Sequence, residues 1–190
     1  MTQQQVTDKQ VAAFRRAFLD AVQQIKDGAK LSELERLIER QDVDGIMRLL
    51  GIDRSAFAGV ADELRQSFAE GGRYGADWLS PIPVDGVGSV AFRFDLSAPS
   101  ASEWLMSRSS ELIVEIVDDQ RELIRQALVS GTDSGLNPRT QAIRLVGAYD
   151  TATKQRTGGI VGLTSQQAGW MQNASDELDS LDSNYLNPGS

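Results

Sequence analysis

The chain has 190 residues, of which 41% are hydrophobic, and a formal net charge of −8, so it carries enough apolar content for a core and too little positive charge to grip a phosphate backbone over a broad surface. It contains neither histidine nor cysteine, which excludes disulfides, zinc thiolate sites and thiol nucleophiles and removes the usual general base and the commonest metal ligand. No run of roughly 18 apolar residues is present and the N-terminus MTQQQVTDKQ has no secretory pattern, so a soluble protein made in a cytoplasm, with no membrane contact, is expected.

The first predicted element is a helix capped by Thr7 or Asp8, with Val11, Phe14, Phe18, Val22 and Ile25 recurring at spacings of three and four. Ser32 and Glu35 form a capping-box pair for a short helix carrying Leu34, Leu37 and Ile38. Asp42 starts a third with Ile46, Met47, Leu49 and Leu50 before Gly51. A fourth, from about Ser55, places Phe57, Val60, Leu64 and Phe68 on one stripe and stops at Gly71-Gly72. The four are expected to form an N-terminal helical subdomain over 1–72, their stripes buried in its core.

A Gly/Pro-rich connector over 73–99 follows, with Tyr74 and Trp78 before the run SVAFRFDL. There Val90, Phe92, Phe94 and Leu96 alternate with Ala91, Arg93 and Asp95, the period of a half-buried strand. Such a strand must pair, either locally with SPIPVDG, a poor partner, or by addition to another chain, with Val90, Phe92, Phe94 and Leu96 as the interaction residues. Ser100 and Glu103 then open the longest helix, to about Leu128 and Gly131, with Leu105, Leu112, Ile116, Leu123 and Leu128 along one face and Ile113, Val117, Ile124 and Ala127 widening it. Asn137 as N-cap and Pro138 at the first helical position start a helix to about Tyr149. Its Ala142, Ile143, Leu145 and Val146 should pack back on the long helix. Thr164 and Gln167 cap a last helix with Ala168, Met171, Leu178 and Leu181. The fold class expected is mainly α, with a helical-hairpin region over 100–182 and a tail over 183–190.

No catalytic constellation emerges. Asp118-Asp119 and Glu33 with Glu35 read as solvated helix faces, since consecutive helical residues point apart. Ser109, Ser110 and Ser165 have no histidine to activate them, and Lys154 lies in a polar loop. TGGIVG has neither a preceding buried strand nor a Walker ending, so it reads as a hinge and not a phosphate cradle. The acidic run Asp176, Glu177, Asp179 and Asp182 is a solvated helix or an acidic docking strip. No enzyme, cofactor or metal is expected.

The runs WLMSRSSELIVEIVDDQRELIRQAL, GLNPRTQAIRLVG and RTGGIVGLTSQQAG resemble the phage head morphogenesis family, the Mu F-like minor capsid proteins of tailed phages. The resemblance covers about residues 92 to 182 and rests on Trp104, the Leu136-to-Gly147 run and Gly162-Leu163-Thr164. It implies a virion protein in few copies at the portal vertex or capsid interior, acting in head assembly or genome delivery. Portal and major capsid protein are the partners implied, with self-association, and Trp104 and Leu163 join the interaction residues. Longer members continue into basic helices and a threonine-glutamate motif that this sequence lacks, so nucleic-acid contact is not expected of this chain alone. Two other classes stay open: an acidic adaptor or regulatory module, and a hydrolase using two carboxylates.

Overall fold

The computed structural model describes residues 3–79, 82–84, 88–90, 94–95 and 98–163. The chain is mainly helical: α1 (Gln3–Asp27), α2 (Leu31–Glu39), α3 (Val43–Leu50), α4 (Ala58–Leu79), β1 (Ile82–Val84), β2 (Gly88–Val90), α5 (Pro99–Asp133), α6 (Pro138–Val146), β3 (Ala148–Asp150) and β4 (Gln155–Thr157). The expected last helix lies outside the described residues. Two compact units interleave along the chain, one from 1–21 and 53–116, the other from 22–52 and 117–190. The consecutive subdomains expected from composition therefore do not match the contacts. The reason is that α2 packs most extensively against α6, which follows it by about a hundred residues, and next against α3.

In the first unit, α1 is fixed to α4 by Gln10 Nε2, which donates to the Ser67 carbonyl at 3.1 Å, and by Lys9 with Glu70 at 3.4 Å. Phe18 stacks on the fully buried Phe57, with ring centres 5.9 Å apart. Helix α4 does not stop at Gly71-Gly72 but runs through both. Gly72 serves approach: a Cβ there would overlap the Phe94 ring. Strand β2 pairs antiparallel with β1, Ile82 opposite Val90 and Val84 opposite Gly88, so the segment judged a poor partner is the partner used. The strand thus starts earlier than the alternation suggested.

The second unit is built on Leu34 and Ile38 of α2, Ile46, Met47 and Leu50 of α3, Leu123, Ile124 and Leu128 of α5, and Ala142, Leu145 and Val146 of α6, all buried. Each large aliphatic side chain removed from water contributes about 1.5–3 kcal/mol. Asp42 accepts from the Gly45 N–H at 2.8 Å and Asn137 from the Thr140 N–H at 2.9 Å, the caps expected. The Ser32–Glu35 box does not form: α2 is capped at Lys30 without a side-chain bond, and Glu35 instead pairs with Arg139 at 3.2 Å. Because α2 begins two residues earlier than expected, Ser32 falls inside its first turn.

Helix α5 passes Gly131, which is buried against α6, where a Cβ would overlap the Gln141 amide. Its buried stripe is Leu105, Ser109, Ile113, Gln120, Leu123, Ile124 and Leu128, whereas Leu112 and Ile116 are half-buried. The stripe keeps Leu105, Ile113, Leu123, Ile124 and Leu128 of the expected face and adds two polar residues with their bonds satisfied. The Ser109 hydroxyl donates to the Met106 carbonyl at 3.2 Å, and Gln120 is engaged as described below.

Candidate functional site

Of the six interaction residues expected from the sequence, Val90, Phe94, Trp104 and Leu163 are among the described residues. Phe92 and Leu96 lie outside the described residues, and Val90 ends β2 opposite Ile82. Phe94 packs edge-on against Phe68 at 5.4 Å and is half-buried. Trp104 also stacks on Phe68, with ring centres 4.8 Å apart, yet remains 52% exposed, and Met106 two residues on is 63% exposed. The first unit therefore presents a tryptophan held in place by its own chain with much of its surface free. Leu163 belongs to the second unit and is half-buried.

Among the described residues of the second unit, a set of polar groups converges on the segment that the sequence reads as a polar loop and a hinge. From Gly147 the chain enters the β3–β4 hairpin, in which Tyr149 faces Arg156 and Asp150 faces Gln155. Asp150 opens the turn by accepting from the Ala152 N–H at 2.8 Å. That bond, and those from Thr153, hold its carboxyl below the usual range. Lys154, at φ 58°, closes it. These are the residue types of a tight hairpin, and YDTATKQRT could have been recognised by its turn-forming aspartate between strand formers.

The hairpin carries Arg156 into the interior, where it is 7% exposed. Its two terminal nitrogens donate to the carbonyls of Gly147, ending α6, and Ala29, following α1, each at 3.1 Å. Its backbone N–H donates to Asp27 at 2.7 Å, and its carbonyl accepts from Gln23 at 3.0 Å. The guanidinium carbon lies 5.9 Å from the centre of the Tyr149 ring. A cation at the C-terminal ends of two helices meets their negative dipole ends, which favours it there. Lys26 Nζ adds a bond to the Gly158 carbonyl at 2.8 Å. Burial pulls the Lys26 pKa below the ordinary lysine value, against the opposing effect of Asp27.

Past the hairpin the chain continues along α6. The N–H groups of Ile160 and Val161 donate to the carbonyls of Arg144 and Leu145, both at 3.0 Å, supplying donors to a last helical turn that would otherwise lack them. Val161 is 1% exposed. Gln120 of α5 then reads the next peptide with both ends of its amide: Oε1 accepts from the Gly162 N–H at 2.8 Å and Nε2 donates to the Leu163 carbonyl at 3.1 Å. Residues 147–163 thus form a strap across the ends of α1 and α6 and against α5. The donors and acceptors converging on it are paired with the strap's own main-chain amides, so they hold the strap in place. Among the described residues no group of three or more acidic side chains is placed to hold a metal ion. Compared with protein-family models, with curated proteins and with solved structures, the chain matches none of them.

Proposed function

We propose that this chain is a minor structural protein of a tailed-phage head, acting by protein–protein contact at the portal or the inner capsid surface in head morphogenesis or genome delivery. The observation that carries the contact is the exposed face of Trp104. A large aromatic fixed by stacking on Phe68 has little conformational freedom left to lose, and such rigid anchors supply much of the affinity at protein interfaces. The resemblance of the Trp104 helix, the Asn137-Pro138 helix start and the Gly162-Leu163 turn to Mu F-like proteins supports the location. Portal and major capsid protein are the partners this reading names.

The test is mass spectrometry of purified particles, quantifying the chain against the portal for wild type and for Trp104→Ala and Met106→Ser. The reading expects a defined low copy number for wild type and a loss of incorporation in Trp104→Ala at unchanged helical content, while Met106→Ser, two residues on and directed away from Trp104, is incorporated normally. Absence of the wild-type chain from particles overturns the virion assignment and leaves the acidic adaptor and hydrolase classes. Normal incorporation of Trp104→Ala removes the Trp104 surface as the contact.

A further inference from the structure

We propose that the exposed stripe of α1 formed by Val11, Arg15 and Leu19 is a docking face for an acidic amphipathic segment, and that its occupant is residues 164–182 of the same chain. The inference does not rest on the head-assembly reading. Of the two roles the sequence leaves to the acidic run Asp176, Glu177, Asp179 and Asp182, it assigns the docking strip.

The chemistry of the face comes first. Val11 and Leu19 are 61% and 49% exposed, although both are aliphatic and lie on a helix that buries Val22 and Ile25 further on. Between them Arg15 and Arg16 are exposed and make no ion pair among the described residues. A hollow of about 480 Å³ is lined along this face by Val11, Ala12, Arg15, Arg16 and Leu19, with Asp8 and Asp20 at its two ends. Read from Leu19 to Val11, the surface is apolar, cationic and apolar. Guanidinium groups of this kind are matched by carboxylates.

The end of the strap names the occupant. Gly162 lies so close to α1 that a Cβ there would overlap the Val22 side chain. Val22, Leu19, Arg15 and Val11 recur at intervals of three, four and four, which puts them on one side of the helix. The strap therefore delivers the chain to the Val22 end of the stripe. The sequence that follows carries four carboxylates and no basic residue between 164 and 182, with Met171, Leu178 and Leu181 at helical spacing. At 1.5 Å per helical residue, Leu19 to Val11 spans about 12 Å and Met171 to Leu178 about 10 Å. Laid antiparallel to α1, the segment sets Met171 at Leu19, Asp176 and Glu177 at Arg15 and Arg16, and Leu178 at Val11. The order of apolar and charged groups is the same on both sides, with the charges opposite.

The test uses the full chain, in which an introduced cysteine is unique because none is native. A spin label on Ala12→Cys marks the face, and the backbone amide signals of residues 171–182 are read by NMR. Loss of those signals is expected, with recovery when the label is reduced. Arg15→Glu with Arg16→Glu is expected to restore them while the label is active, and adding Asp176→Lys with Glu177→Lys to lose them again. Ala12, Arg15 and Arg16 are exposed, so these changes leave the packing of α1 alone. Signals unaffected by the label, or lost to the same extent after the arginine changes, overturn the proposal. A mixture of labelled chain with isotope-enriched, label-free chain identifies the source of the segment. No loss is expected there, and loss as strong as in the labelled chain itself shows that a second copy supplies the segment and overturns the assignment.

Discussion

Arg156 concentrates the second unit's dependence on a single side chain, because among the described residues its guanidinium donates to carbonyls alone. Arg156→Gln leaves the Gly147 and Ala29 carbonyls short of donors in a buried place, and is expected to lower stability by about 2–4 kcal/mol, read from the denaturation midpoint. Arg156→Lys should recover only part, since an ammonium cannot span both acceptors as the planar fork does. Lys26 gives a pH signature. Burial disfavours its charged form, so the unfolded chain holds that proton more tightly than the folded one. Between the lowered folded pKa and the ordinary lysine value unfolding takes up a proton, and the contribution to stability rises with pH across that window; below it the cost is present in full. Stability measured against pH should show this rise in wild type and lose it in Lys26→Met.

At the scale of elements, α5 makes the sharpest prediction. Ile124→Ala should cost about 2–5 kcal/mol, because Ile124 is fully buried, while Glu115→Ala should stay within about 0.5 kcal/mol. Half-buried Ile116 should fall between them. Equal costs at Ile116 and Ile124 would show that the stripe runs where the apolar pattern alone puts it. Asn137→Ala, which removes the α6 cap, should cost about 1 kcal/mol by the same measurement. These elements also show what the sequence makes legible. Asp42 and Asn137 cap their helices through neighbours three residues on, a local interaction that a short window contains. Ser109 and Gln120 look like breaks in an apolar stripe, and only the atoms they meet make them core residues. The glycines at 72 and 131 read as stop signals because their partners, Phe94 and Gln141, are remote or on another helix. Arg156 was invisible as a hub for the same reason: its acceptor at Ala29 is 127 residues away.

At the scale of the whole molecule, interleaving decides which fragments can stand alone. A fragment of residues 1–72 lacks Phe94 and Trp104, which cover Phe68 in the first unit, and a fragment of 73–190 lacks α2, the principal neighbour of α6. Neither is expected to give a cooperative thermal transition, whereas the full chain is. The charge of −8 bears on the whole surface as well. Duplex DNA should not be bound with an affinity tighter than about 1 μM at about 150 mM salt, as measured by anisotropy titration. Tighter binding would reveal a basic groove and move the functional reading toward genome contact.

The bond from Arg156 to Ala29 also sets a timetable for synthesis. The end of α1 leaves the ribosome early, but its capping arginine is encoded 127 residues later, which at about 5–20 residues per second is a delay on the order of ten seconds. Throughout that interval Val22 has no strap beside it, and the nascent chain offers apolar surface to whatever it meets. A chain organised this way is expected to complete its second unit only after the strap has been made. A chaperone that shields emerging helices should therefore raise its yield more than one that acts after release, and slowing translation upstream of the strap codons should lower it.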